Sequence, residues 1–448
     1  MKTHLYKICS IGFIVIAFSS CKRQVDAPAI QKGSLDASKY VSVGSSISAG
    51  YTDNALYYNG QVVSYPNLLA QQFKLIGGGN FKQPLVPVAS VGIGASLNAR
   101  YVLAPFTDCA GITSLAPVYA QASGDLGIFT TSVAADGPFN NISVPGLKAT
   151  TAVYPGYGDY TQGAGNFNPF FTRMTANPQS ASVLSDAASQ GPTFFSLFIG
   201  SDDVMGYALA GAAADAITPS AGPAGYGFDE SIDAIVNTLT AFGAKGVIAN
   251  IPGIHTLPYF TTIPPNGLML DAANAAALTA AYAALDIPFH AGSNGFMIQD
   301  ATAPAGIRQI KATEMVLLTV PQDSLKCAGW GSMKPIPHQY VLTETELTEI
   351  NNAISAYNTK LKSVADAKGL AFVDVNAFMS RAQAGIMYNG IGMNAQFVSG
   401  GIFSLDGVDL TPIGNAFLAN EFIKAINAKY VSTIPQIDAT SYKGVSFP

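Results

Sequence analysis

Short, largely apolar runs recur along this chain, at residues 40–43, 193–199, 246–250 and 370–375. The first two runs each end at a glycine. Runs of this length that are apolar at nearly every position are typical of strands buried on both faces of a parallel sheet. The pattern therefore predicts four parallel strands spread over most of the chain.

Stripes of apolar residues at helical spacing lie between these runs. They cover residues 65–75, 232–242, 347–364 and 418–426. Thr343 and Glu346 form a capping box before the third stripe, and Gly369 offers a stop after it. Alternating strands and helices predict an α/β fold with a central parallel sheet and helices on both faces. Sites in such folds lie at the carboxyl ends of the strands.

Two long segments interrupt this alternation. Residues from about 77 to 138 are rich in glycine, proline and serine, and we interpret them as an insertion. Residues from about 252 to 338 form a second insertion, which includes an alanine-rich helix at 271–285. The sequence thus predicts a single domain over residues 39–430 with two insertions and a C-terminal tail at 431–448.

The first twenty residues have the pattern of an export signal. Lys2 and Lys7 precede a short apolar run, and small residues lead to Cys21. We predict a signal peptide at 1–20, a lipid anchor on Cys21 and a polar tether at 21–38. The alternative is a plain secretory signal with a chance cysteine. The prediction places the protein in the cell envelope, anchored to a membrane that is expected to be the outer membrane.

The amino-acid composition limits the kinds of partner that this protein is expected to bind. The chain has 23 Lys and Arg against 28 Asp and Glu, and only 11% of its residues are charged. An acidic balance without a basic cluster argues against nucleic acid as a partner. Mean hydropathy is +0.27, which indicates a large core and an apolar cleft. Cys109 and Cys327 could form one disulfide or remain buried thiols, and neither has the neighbours of a zinc site.

Four short motifs occur along the chain, and the first and third directly follow predicted strands. They are Gly44-Ser45-Ser46-Ile47-Ser48, Asn140-Asn141-Ile142-Ser143-Val144-Pro145-Gly146, Gly200-Ser201-Asp202-Asp203 and Asp406-Gly407-Val408-Asp409. Their order and content resemble the sequence blocks of SGNH/GDSL hydrolases, in a bacterial lipoprotein branch. The resemblance covers residues 40–430 and implies a three-layer, flavodoxin-like fold. It also implies hydrolysis of a small ester, a lipid or an acetylated glycan, without a cofactor.

The resemblance assigns a role to each motif. Ser46 would be the nucleophile that forms an acyl-enzyme, and the amides of Ser46 and Gly146 would hold the oxyanion. Asp406 would orient the base, but Asp409 stands where the family has histidine. Asp202 likewise replaces the asparagine that donates to the oxyanion.

Both departures weaken serine catalysis. An aspartate with an ordinary pKa of roughly 4 is a far poorer base toward a serine hydroxyl than histidine. An ionised Asp202 cannot donate a hydrogen bond, and loss of one oxyanion donor costs on the order of 100- to 1000-fold in turnover. The sequence therefore predicts an impaired hydrolase, or alternatively a non-catalytic ligand-binding lipoprotein.

Two further alternatives concern the site. His255 follows the third strand closely and could serve as a relocated base. Asp202, Asp203, Asp406 and Asp409 could instead converge on a calcium ion, although their spacing matches no calcium-binding loop. The oligomeric state is left open.

Overall fold

The computed structural model describes residues 29–448, and a four-stranded parallel sheet forms its centre. The strands stand side by side in chain order. They are β1 (Tyr40–Gly44), β2 (Phe194–Phe198), β3 (Lys245–Ala249) and β4 (Ala371–Val373). All four predicted strands are confirmed, and nearly every residue in them is buried, as the apolar runs require.

A further segment runs beside β1 on its open side. Ser42 N–H donates to the Asn140 carbonyl at 2.8 Å, and Ile142 N–H donates back to the Ser42 carbonyl at 2.9 Å. Ser42 and Asn141 pair in the parallel sense. The second motif therefore lies against the first along the edge of the sheet.

The main helices pack against this sheet in two groups. They are α1 (Ser46–Ala49), α2 (Tyr65–Phe73), α3 (Val183–Ser189), α4 (Asp202–Leu209), α5 (Phe228–Thr240), α6 (Glu344–Ala367) and α7 (Pro412–Tyr430). Phe194 of β2 contacts Phe73 of α2 and Tyr430 of α7, so α2 and α7 share one face. Helix α5 contacts α3 and α6, while α3 contacts β1 and α6 contacts β3 and β4, so these three helices form the second group. The predicted α/β class is confirmed.

The predicted helices are present, but their first and last residues differ from the predicted ones. The capping box forms before α6, where Thr343 N–H donates to Glu346 at 2.7 Å. One detail was wrong: Phe242 does not extend the apolar face of α5, because the helix ends at Thr240 and the Phe242 side chain is 91% exposed.

Shorter elements complete the described chain. The other helices are Tyr58–Val62, Gly127–Thr130, Ala149–Ala152, Pro169–Thr172, Pro258–Thr261, Ala272–Ala281, Gln322–Cys327 and Val375–Ala384. The short strands pair antiparallel as Tyr51–Thr52 with Ala55–Leu56, Tyr101–Thr107 with Thr113–Tyr119, Leu268–Leu270 with Gly292–Asn294, Met297–Gln299 with Ile307–Gln309, Met315–Val316 with Val341–Leu342, and Ile386–Tyr388 with Ile391–Met393.

The ends of the described chain pack onto the domain. Leu35 and Ala37 are buried, and Ser34 N–H donates to the Tyr430 carbonyl at 2.9 Å. The second half of the predicted tether therefore packs against the domain. Ile434 and Ile437 are buried as well, so the predicted tail is part of the fold. The predicted signal peptide and Cys21 lie outside the described residues. Within residues 29–448, no helix is long and apolar enough to cross a bilayer.

Candidate functional site

The first motif follows the carboxyl end of β1. A side chain at Gly44 would meet the Ser48 hydroxyl at 2.2 Å and the Phe198 carbonyl at 2.6 Å, so the turn out of the strand needs glycine here. Ser46 is the first residue of α1 and is half-buried. This tight turn aims the Ser45–Ser46 pair at a large cavity, which both residues line.

The two serines have different partners. Ser45 Oγ donates a hydrogen bond to Asp202 Oδ2. Within residues 29–448, the Ser46 hydroxyl has no hydrogen-bond partner, so no general base holds the predicted nucleophile. The sequence did not predict the link between Ser45 and Asp202, which joins the first motif to the third.

Gly146, at the end of the second motif, lines the same cavity. Its φ of +78° favours glycine. The amide N–H groups of Ser46 and Gly146 donate to no other group in the described part of the chain. Two free backbone donors at the cavity wall are suited to bind a carbonyl or carboxylate oxygen of a ligand.

The third motif begins α4, whose first residues are Asp202 and Asp203. Gly200 before it has a φ of +109°, and a side chain there would meet Ile251 at 2.8 Å. A helix N-terminus favours ionised carboxylates. Burial nevertheless dominates and raises the pKa of Asp202 to about 6, although the bond from Ser45 opposes this change.

Asp203 is more deeply enclosed and does not line the cavity. Its side chain is fully buried, Oδ2 accepts from the Ala149 amide at 2.7 Å, and Oδ1 has no partner. Burial raises the pKa of Asp203 to about 7. Asp203 thus holds the backbone of the segment after the second motif and does not contact the space in which a ligand would bind.

The Asp406 carboxylate is fully engaged by its own loop. Oδ1 accepts from the amides of Val408 at 2.8 Å and Asp409 at 2.7 Å. Oδ2 accepts from the Ser404 hydroxyl at 2.8 Å and from the Asn54 amide at 2.9 Å. The predicted orienting carboxylate therefore closes the turn before α7 and fastens it to the 53–54 turn.

Asp409 also lines the cavity, with only 5% of the residue exposed. No hydrogen bond to its side chain occurs within residues 29–448. Burial is the largest cause that raises its pKa well above the ordinary value, and the charges of Asp406, Asp202 and Asp53 add to the effect. Burial thus makes the Asp409 carboxyl hold its proton more tightly than an ordinary aspartate, and Asp409 makes no hydrogen bond to Ser46, so it is not placed as the base for a serine nucleophile.

Histidine is absent from the lining of this cavity. His255 is exposed, and its backbone carbonyl accepts from Gln383 at 2.9 Å. His290 is also exposed, and His338 pairs with Glu346 at 3.0 Å. The structure thus does not bring His255, the predicted alternative base, to the same cavity as Ser46.

The cluster of aspartates does not form a cation site. Among the residues that the structure describes, no group of three or more His, Cys, Asp or Glu side chains is placed to hold a metal ion. Asp202 is tied to Ser45 and Asp406 to its own loop, so their oxygens point to different partners. The calcium alternative therefore has no geometric support.

Sequence reasoning missed the turn that supports the fourth motif. Asp53 and Asn54 both have positive φ, and Asp53 Oδ1 accepts from the Leu405 amide at 3.0 Å. The Tyr57 hydroxyl donates to Asp53 Oδ2 at 2.7 Å. Burial raises the pKa of Asp53. The adjacent Asp53 and Asn54 predict a tight turn from the sequence. The loop that this turn contacts, at Leu405, lies about 350 residues further along the chain.

The cavity itself is large and mostly apolar, with a volume of about 2070 Å³. Typical small-molecule pockets hold roughly 300–1,000 Å³. Ser46, Gly146, Asp202, Asp406 and Asp409 all line it, so the four motifs do meet at one place. Both insertions supply the apolar walls, through residues such as Phe106, Val118, Phe129, Tyr259, Ile263 and Leu325.

A disulfide between Cys109 and Cys327 joins the two insertions. Cys109 lies in the turn after strand Tyr101–Thr107, and Cys327 ends helix Gln322–Cys327. Lys326 pairs with Asp108 beside the disulfide at 2.9 Å, and both residues line the cavity. The sequence left open whether Cys109 and Cys327 form a disulfide or remain free thiols, and the structure has the disulfide. The disulfide links the two insertions that form the cavity walls.

We expect the Cys109→Ser/Cys327→Ser variant to lose about 2 kcal/mol of unfolding free energy, measured by urea titration. The loss lies at the low end of the usual range because both cysteines are on segments that can part without unfolding the sheet. The rate of amide hydrogen exchange should increase in the hairpin 101–119 but not in β2. An equal increase in β2 would contradict the expectation that the disulfide acts only locally.

No protein-family model matches the chain, and no curated protein matches it. The site is therefore interpreted from its own geometry together with the four motifs.

Proposed function

We propose that this protein descends from the SGNH/GDSL hydrolases and uses their cleft to bind an acyl-chain ligand, with ester hydrolysis impaired. One observation carries the proposal. Ser46 lines a large, mostly apolar cavity and its hydroxyl has no hydrogen-bond partner within residues 29–448, while the buried Asp409 stands at the motif position of the family's histidine.

The arrangement of the sheet supports the lineage. If residues 140–144 are counted as the second strand, the order across the sheet is 2-1-3-4-5, which is the flavodoxin-like order. The first three motifs then lie at the carboxyl ends of neighbouring strands, at the edge where doubly wound α/β proteins bind ligands, and the fourth reaches the same cavity from the loop before α7.

The chemistry of the site favours binding over turnover. The proton of Ser46 needs an acceptor, and Asp409 is a poor one because it makes no hydrogen bond to Ser46 and burial favours its neutral form. Asp202 has a pKa of about 6, but its Oδ2 is occupied by Ser45. Loss of the base from a catalytic triad leaves only the roughly 1000- to 10,000-fold acceleration over water that binding and the oxyanion hole supply.

The same features suit a bound acyl compound. An apolar chain is stabilised by about 25 cal/mol for each Å² that it buries. The amides of Ser46 and Gly146 can donate to its carbonyl oxygen, and burial favours the neutral form of Asp409 on the same cavity wall. An envelope location, with a lipid anchor at Cys21, would place such a cavity among lipids and glycans.

The fate of a bound long-chain ester tests this function. We expect p-nitrophenyl dodecanoate to bind to the wild-type chain and be recovered intact, because the site offers an apolar cavity without a base. Recovery is measured by mass spectrometry beside Ser46→Ala. Slow serine hydrolysis is the rival function, and turnover that Ser46→Ala abolishes would support it.

A further inference from the structure

Arg173 is a buried cation on the wall of this cavity. It lines the cavity, yet only 3% of the residue is exposed. It follows helix Pro169–Thr172, whose Phe170 packs edge-to-face on Phe129 at 4.8 Å between ring centroids. Burial lowers the pKa of Arg173 to about 10, and no acidic neighbour counters that effect.

The hydrogen bonds of its guanidinium are incomplete. Nη1 donates to the Pro84 carbonyl at 2.8 Å, and Nη2 donates to the Leu85 carbonyl at 3.2 Å. Nε is buried and has no partner within the described chain. A guanidinium carries five N–H donors, and a buried cation without a counter-charge is strongly disfavoured unless something pairs with it.

The other charged groups on the cavity wall do not pair with Arg173. Lys326 is paired with Asp108, Asp323 accepts from the Cys109 amide at 3.2 Å, and Asp202 and Asp406 accept the bonds described above. Within residues 29–448, no ion pair joins Asp409 or any other carboxylate to Arg173. Among the lining residues, Arg173 is thus the cation without an acidic partner.

We propose that Arg173 forms an anion-binding subsite of the cavity, which takes the carboxylate or phosphate head of a single-chain amphiphile. This inference rests on the proposed function, because the apolar cavity must hold the chain. The planar guanidinium suits both head groups, since its N–H donors match two oxygens at once. Phe129 and Phe170 provide the apolar surface next to the head group.

Arg173 also has a structural role, because it holds the backbone at residues 84–85. A purely structural arginine would not discriminate between ligands by charge. Ligands that share one chain and differ only in the head group therefore separate the two roles.

The experiment is a calorimetric titration with dodecanoate, dodecyl phosphate and dodecanol at pH 7.5. We expect the wild-type chain to bind at least one of the two anions about 10-fold or more tightly than dodecanol, because only the anions pair with the guanidinium. The anion that binds more tightly identifies the head group. Arg173→Met should bind all three ligands equally, and Arg173→Lys should keep a reduced preference for the anions.

Arg100→Met is the matched control. Arg100 stacks on Tyr57 at 5.1 Å outside the cavity lining, so its loss removes one positive charge without touching the subsite. Equal affinities in the wild type, or a preference that persists in Arg173→Met, would overturn the subsite alone. Failure of the wild type to bind any of the three ligands would overturn both the subsite and the proposed function. The wild-type comparison remains decisive if Arg173→Met does not fold.

Discussion

Replacing Asp409 with histidine is expected to raise kcat/KM for p-nitrophenyl butyrate about 100-fold over the wild-type chain. A positioned general base typically contributes about 100- to 10,000-fold, because it removes the serine proton as the nucleophile attacks. Ser46, Gly146 and position 409 already line one cavity, so the variant adds the missing function without rebuilding the site.

The gain should stay near the lower end of that range. Asp406 already accepts four hydrogen bonds, so it is poorly placed to orient the new imidazole. Asp202 still cannot act as the missing amide donor while it is ionised. The activity is followed by release of p-nitrophenol over a range of substrate concentrations.

Asp409→Asn is the matched control, because asparagine resembles the protonated aspartic acid in shape and supplies no base. We expect it to match the wild type in hydrolysis. The double variant Ser46→Ala/Asp409→His should return to the wild-type rate. A gain that survives loss of the Ser46 hydroxyl would contradict the assignment of Ser46 as the remnant nucleophile.

At pH 8, Asp203→Asn is expected to be more stable than the wild type by up to about 4 kcal/mol. Burial raises the pKa of Asp203 from 3.8 to about 7, and each tenfold step in proton affinity corresponds to about 1.4 kcal/mol. The folded protein therefore binds this proton more tightly than the unfolded chain does. The stability that Asp203 contributes is present below about pH 4 and is lost as the pH rises to about 7.

Asparagine at position 203 removes this dependence of stability on pH, because its side chain stays neutral at every pH. Its side-chain oxygen can still accept the hydrogen bond from the Ala149 amide. Urea titrations at pH 4 and pH 8 should show nearly equal stabilities at pH 4 and the full difference at pH 8. Asp366→Asn serves as the control, since Asp366 is exposed and pairs only with Lys362 on the same helix. The prediction fails if Asp203→Asn and the wild type differ equally at both pH values.

The sheet could be predicted from the sequence because its strands are buried on both faces. The apolar runs at 40–43 and 193–199 end at glycines whose backbone the strand exits require, so local composition and local geometry agree. Phe242 shows the limit of the helical pattern: it has the correct spacing, but Gly243 ends the segment and leaves the ring in solvent.

The positions of the site could also be predicted, but their chemistry could not. Ser46, Gly146 and Asp202 reach one cavity because they follow β1, the segment paired with β1, and β2, and Asp406 and Asp409 join them from the loop before α7. The hydrogen bond from Ser45 to Asp202 and the burial of Asp409 depend on packing across the whole domain. A single sequence contains no local signal for either.

Long-range pairings were the other missing information. Cys109 and Cys327 are 218 residues apart, and the insertions that carry them have no periodicity that would place one above the other. Arg173 was missed for the same reason. Its neighbours in the sequence give no signal for its burial, and only the fold reveals that it lies on the cavity wall.

The central claim is tested most directly by the fate of p-nitrophenyl dodecanoate in the presence of the wild-type protein. One sample gives both quantities that matter, the intact ester bound to the protein and the p-nitrophenol released. We predict about one intact ester for each chain and a release rate equal to that of Ser46→Ala. Rapid release by the wild type that Ser46→Ala abolishes would show a working serine esterase and contradict the loss of catalysis.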